Sequence, residues 1–172
     1  MDEDRLTDLA RLRARAEFAE WDAMLDYAIG LEAKYNAEEM TAFGRQANIA
    51  SIALEIGVAT GLSESQVHRR LTVAERVRER VPQTWAAFRA GRLDADRVTV
   101  ISDAVDKLKR EKSVTRLDGR VVAYASSHTV PELRRWLRLF IARVESDLMT
   151  ERADDERSRR GVDVEQGEDG MS

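Results

Sequence analysis

The chain has 172 residues and a net charge of −4; 43% of its residues are hydrophobic, 35% charged and 6% aromatic, a balance that favours helices with wet outer faces over a sheet sandwich. Cysteine is absent, so disulfides and thiolate metal sites are excluded, and no apolar run approaches the roughly 18 residues of a membrane span. Gly (9) and Pro (2) are scarce, too few to cut the chain into many short strands. The acidic, charge-alternating start MDEDRLTDLARLRARAEF is unlike a signal peptide. A cytoplasmic protein that does not enter a membrane is expected.

Residues 4–33 read as one long helix or two in series, with Leu9, Leu12, Ala16, Ala19 and Ala23 stepping by three and four as an apolar seam. The small seam residues allow close helix approach, either onto the chain's own domain or as a hairpin or dimer seam. The lack of sustained heptads favours the first. After a break near Asn36–Gly44, a helix is predicted over about 46–60, ending at Gly61, a residue suited to a left-handed C′ position. Ser63 and Gln66 form a capping box that opens the next helix, which buries Val67, Leu71, Ala74 and Val77.

Pro82 sits in the first turn of a short helix, PQTWAAFRA, closed by Gly91. Asp94 or a neighbour starts DADRVTVISDAVDKL, and a further helix falls within 114–127, weakened by Gly119. Thr129 and Glu132 form a second capping box before a long helix to about 156, with Leu133, Trp136, Leu137, Phe140, Ile141, Val144 and Leu148 as its core stripe. GVDVEQ alternates like a strand, but a lone terminal strand cannot satisfy its backbone groups, so the last dozen residues are expected to be mobile. The expected fold class is all-α: a multi-helix domain with long N-terminal and C-terminal helices and a short strand-like tail. Its parts are an N-terminal helical arm (1–35), a helical core (41–158) and the tail (159–172).

The sharpest pattern is EIGVATGLSESQVHRRL, residues 55–71. A helix-turn-helix needs a small residue where its helices cross, a turn residue free to take positive φ, and apolar residues pinning the second helix. Gly57, Gly61 with Leu62, and Val67 meet these demands at the expected spacing. Glu64, Ser65, Gln66, His68 and Arg69 are left outward near the helix end that would enter a major groove. Arg can pair with guanine, Gln with adenine and Ser with phosphate. Arg70, Arg76, Arg78 and Arg80 extend a basic face, although Arg70 stands where such motifs more often have an apolar residue. The candidate DNA-contacting residues are therefore Ser63, Ser65, Gln66, His68, Arg69, Arg70 and Arg76. The competing reading is a helical hairpin with a solvated charged face. Residues 151–172 hold eight acids and four arginines, which leaves 24 acids and 24 bases in the rest. That neutral body argues against a generic polyanion binder but not against a local basic face.

The order of helices after residue 71, with VAERVRERVP and then WAAFRAGRLDADRVTVISDA, resembles the central DNA-binding part of ParB-type partition proteins. There the position after the Gly usually carries a small residue and His, where this chain has Asp94–Asp96. A tighter resemblance covers the chain from about residue 46. The Pro-helix-AGR-L block, the TVPELRR helix start and the RRGVDVEQGEDGM terminus are similar to the domain of unknown function 222. That resemblance implies an actinobacterial repeat family in which the domain usually precedes an HNH endonuclease domain.

The nuclease chemistry does not carry over. An HNH site needs a His base and further ligands around a divalent metal, whereas this chain has two histidines, His68 and His128, on different predicted elements. No phosphate loop, nucleophile elbow or zinc-protease motif is present, and Asp154, Asp155 and Glu156 read as a solvated run. No catalytic residue, metal ligand or cofactor is expected. In the family the chain continues toward the nuclease, so this sequence reads as a fragment or a naturally short member. Two functions remain: a module binding double-stranded DNA, or a helical interaction module with the helix-turn-helix purely structural. A homodimer through the N-terminal arm is the other expected partner.

Overall fold

The computed structural model describes residues 3–36 and 42–160, all-helical but for short turns. The elements are α1 (Glu3–Asn36), α2 (Ala42–Thr60), α3 (Glu64–Arg80), α4 (Pro82–Arg89), α5 (Ala95–Lys107), α6 (Glu111–Ala125) and α7 (Val130–Arg160). The expected strand-like tail lies outside the described residues, as does the side chain of Leu148. No helix among the described residues is long and apolar enough to cross a membrane.

Residues 4–33 form part of one helix, and α1 belongs to the core rather than standing apart from it. Phe18, Trp21 and Leu25 are buried in the main cluster with Phe88, Ile101, Leu117 and Leu133. The rings of Phe18 and Trp21 lie 5.5 and 5.4 Å from that of Phe88, edge-on. The face that packs is not the predicted seam. Leu9 and Leu12 are 53% and 59% exposed, and Ala16, Ala19 and Ala23 are exposed too. α1 carries two apolar stripes on opposite sides, and the stripe with the aromatic rings takes the core because it removes far more apolar area from water.

A second cluster, of Met24, Ala28, Ile52, Ala53, Ile56 and Val67, ties α2 to α1 and α3. α7 packs on α5 and α6 through buried Leu133, Leu137 and Val144, with Trp136, Phe140 and Ile141 half-buried. Its predicted start is half realised: the Thr129 N–H and hydroxyl both donate to the Glu132 carboxylate (2.8 and 2.7 Å). α6 accommodates Gly119 in its middle without interruption.

The turn after α4 depends on glycine. Gly91, at φ +74°, closes α4, and a Cβ there would sit 2.7 Å from the Arg11 carbonyl oxygen of α1. Arg15 reinforces the contact by donating from Nε to the Ala90 carbonyl (3.2 Å). Asp94 caps α5, accepting from the Arg97 N–H at 2.9 Å. α4 has no cap of its own, since Val81 precedes it. Its acceptor comes from α6: the buried Asp118 carboxylate accepts from the Gln83 N–H (2.9 Å), the Thr84 N–H (2.9 Å) and the Thr84 hydroxyl (2.8 Å).

Candidate nucleic-acid interface

The α2–turn–α3 unit is built from local signals. Gly61 takes φ +72°, which lets its N–H and that of Leu62 reach the Gly57 carbonyl at 2.8 and 3.2 Å. The turn then folds back so closely that a Cβ on Gly57 would lie 2.7 Å from the Leu62 carbonyl oxygen. Backbone cannot yield there as a side chain would, so the crossing requires glycine. The predicted capping box is formed: Ser63 Oγ accepts from the Gln66 N–H (3.4 Å), and the Ser63 N–H donates to Gln66 Oε1 (2.9 Å). Val67, Val73, Ala74 and Val77 anchor α3 from below, with Leu71 half-buried beside them.

The seven sequence-predicted residues separate into three groups. Ser63 and Gln66 are spent on the cap, so a Gln66 that read a base would first have to leave it. Ser65 is exposed and lies 3.1 Å from Ser63 Oγ, while His68 and Arg69 are exposed one turn on. Arg69 makes no ion pair among the described residues. Arg70 and Arg76 are committed inside the molecule: Arg70 to Glu20 at 2.6 Å, and Arg76 to Asp106 at 2.8 Å and the Ser102 hydroxyl at 3.2 Å.

The rest of the supposed basic face is committed as well. Arg78 meets Asp26 at 3.0 Å and Asp22 at 4.0 Å. Arg80 meets Glu111 at 2.7 Å and the Val105 carbonyl at 3.4 Å. The stretch that reads as a basic extension is thus a row of half-exposed ion pairs joining α3 to α1, α5 and α6. Arg70 can stand at a normally apolar position because Glu20 of α1 neutralises it there. The signal for this was present in α1, whose residues 17–26 hold four acids and no base.

Sequence reasoning passed over another group of cations. Lys107, Arg134 and Arg138 surround a cavity of about 200 Å³ between α5 and α7, with Asp103 beside them, and none of the three makes an ion pair among the described residues. The run RRWLR in α7 was the available signal. His128 is half-buried: its Nδ1 lies 2.8 Å from the Tyr124 carbonyl, and its ring stacks on that of Tyr124 at 3.7 Å. Among the described residues no three His, Asp or Glu side chains are placed to hold a metal ion.

The geometry defines an all-helical domain in which the start of α3 is polar and exposed. The chain belongs to the family of the domain of unknown function 222 (DUF222), whose model matches residues 9–172. The match takes in most of α1 as well as the region from residue 46. No curated protein and no solved structure matches the chain.

Proposed function

We propose that α2 and α3 form a helix-turn-helix that binds double-stranded DNA, with Ser65, His68 and Arg69 as the contacting side chains. The observation that carries this reading is a glycine-dependent turn presenting the N-terminal end of α3 to solvent, with an arginine on its outer face that makes no ion pair among the described residues. Helix-turn-helix proteins read base edges from that end of the second helix, and Arg69 is suited to guanine O6 and N7. Arg70 and Arg76 leave the proposed contact set and become framework residues. One arginine makes few phosphate contacts, so affinity needs a further surface, for which Lys107, Arg134 and Arg138 are suited. In a longer family member with an HNH domain, such a module would target the nuclease.

The test is a titration with duplex DNA at several salt concentrations, where log K falls with log salt by about −0.9 per phosphate contacted. Arg69→Ala should weaken a selected site by about 5- to 150-fold, the value of one good base contact, and random DNA much less. No binding at low salt would overturn the proposal. A second reading, a helical interaction module without DNA contact, is favoured by the internal pairing of Arg70, Arg76, Arg78 and Arg80, and that negative result would select it.

A further inference from the structure

α5 and α7 leave a hollow of about 200 Å³ between them, lined by Lys107, Arg134 and Arg138 with Asp103 beside them. Part of its lining is buried and apolar: Val100 and Leu137 are 7% and 3% exposed. The three cations are exposed, and neither they nor Asp103 make an ion pair among the described residues. In this they differ from Arg70, Arg76, Arg78 and Arg80 of α3, each of which meets an acid.

Nothing on α7 answers the charge of its two arginines. The positions three and four away from Arg134 and Arg138 hold apolar residues or further arginines, and no acid. The two are instead neighbours of each other, about 5–6 Å apart at Cβ, a like-charge spacing that weakens a helix. On α5, Asp106 is taken by Arg76 at 2.8 Å, which leaves Asp103 alone against three cations.

We propose that this hollow binds the phosphate group of a phosphomonoester, with Arg134 and Arg138 gripping its oxygens and Lys107 closing from α5. Three cations and one acid leave a net of two positive charges. A phosphate monoester carries about −1.5 to −2 near pH 7 and matches that charge, whereas each diester of a DNA backbone carries a single one. Ligands of drug size fill about 300–1,000 Å³, so the hollow takes one group of a ligand and not the whole. Guanidinium forks match phosphate oxygens in pairs, and a shared helix holds the spacing of the two arginines. The apolar lining keeps water from part of the anion's surroundings, which strengthens the attraction over that on open surface. Such a site works whether or not α3 binds DNA.

The test is a nuclear magnetic resonance titration of the isotope-labelled full chain with methyl phosphate, at about pH 7.5 and constant ionic strength. Saturable shifts should appear at Lys107, Arg134 and Arg138. Dimethyl phosphate, a monoanion, should bind about tenfold more weakly, the worth of one charge-assisted hydrogen bond. Arg134→Gln and Arg138→Gln should each weaken methyl phosphate by about tenfold or more without changing the far-UV circular dichroism, because both side chains are exposed. Arg69→Ala, which tests the α3 reading, should leave this affinity unchanged. Two duplex DNAs that differ only in a terminal phosphate separate the sources of the group. Tighter binding of the phosphorylated duplex, lost in Arg138→Gln, would identify a nucleic-acid end, and equal binding of the two a free phosphorylated small molecule. The proposal fails if methyl phosphate gives no saturable shift, if dimethyl phosphate binds equally well, or if both arginine variants keep the parent affinity.

Discussion

Replacing Asp118 by Ala removes the acceptor of three donors at once, two of them the first backbone N–H groups of α4 and the third the Thr84 hydroxyl. The carboxylate is 3% exposed and Thr84 is fully buried, so water cannot replace it freely. The Gln83 N–H is only part-buried and can be rehydrated, and the hydroxyl can rotate. The Thr84 N–H can do neither. An unsatisfied buried donor costs about 1–3 kcal/mol, and a lost helix cap about 1 kcal/mol. Together they give about 3 kcal/mol for Asp118→Ala, a fall in Tm of about 6–12 °C for a chain of this size. Asp118→Asn keeps one acceptor oxygen and should cost about half as much, because only one oxygen's hydrogen bonds are lost. Urea denaturation of the three proteins reads both values. If Asp118→Ala lies within about 1 kcal/mol of the parent, the carboxylate does not cap α4.

Gly57→Ala forces a methyl group against the Leu62 carbonyl; circular dichroism should show a lower melting temperature, by about 1–3 kcal/mol equivalent, with helix content retained. Glu20→Gln strands the half-buried Arg70 guanidinium, and a double-mutant cycle with Arg70→Met should give a coupling of about 0.5–1 kcal/mol, since the pair is partly solvated; no coupling would deny the 2.6 Å bond a role in holding α1. The hydroxyl and N–H of Thr129, together with nearby His128, hold the Glu132 carboxyl below its ordinary value. Its stabilisation of the α7 start is therefore present above the unfolded value of about 4.3 and is lost as pH falls through the lower folded one. Thermal melts of Glu132→Gln should lack that part of the acid dependence, and identical acid limbs would refute it.

What could be read from sequence was what is decided within a few residues. The Ser63–Gln66 box, the left-handed Gly61, Pro82 in a first turn and a helix start at or beside Asp94 all depend on neighbours at most four positions away. The seam of α1 misled because a helical period identifies an apolar stripe without saying which of two stripes meets the core; that choice was made by Phe18 and Trp21 finding Phe88, some seventy residues later in the chain. The basic face failed for the same reason. Arg70, Arg76, Arg78 and Arg80 lie on one helix, but their acids are on α1, α5 and α6. Asp118 was legible only in retrospect, as a lone acid on the apolar stripe of Val114, Leu117 and Val121. At the candidate interface, the turn was legible and the electrostatics were not.

The borrowed cap of α4 also imposes an order on synthesis. An eight-residue helix does not persist alone in water, and the acceptor for its first turn is made 34–35 residues later. At a translation rate of about 5–20 residues per second, that gap is about 2–7 s. For that interval Trp85 and Phe88 hang on an unfinished turn as apolar surface, with α1 already synthesised to shelter them. α1 is thus the first cover available to the nascent α4, before α6 arrives to close the domain beneath it.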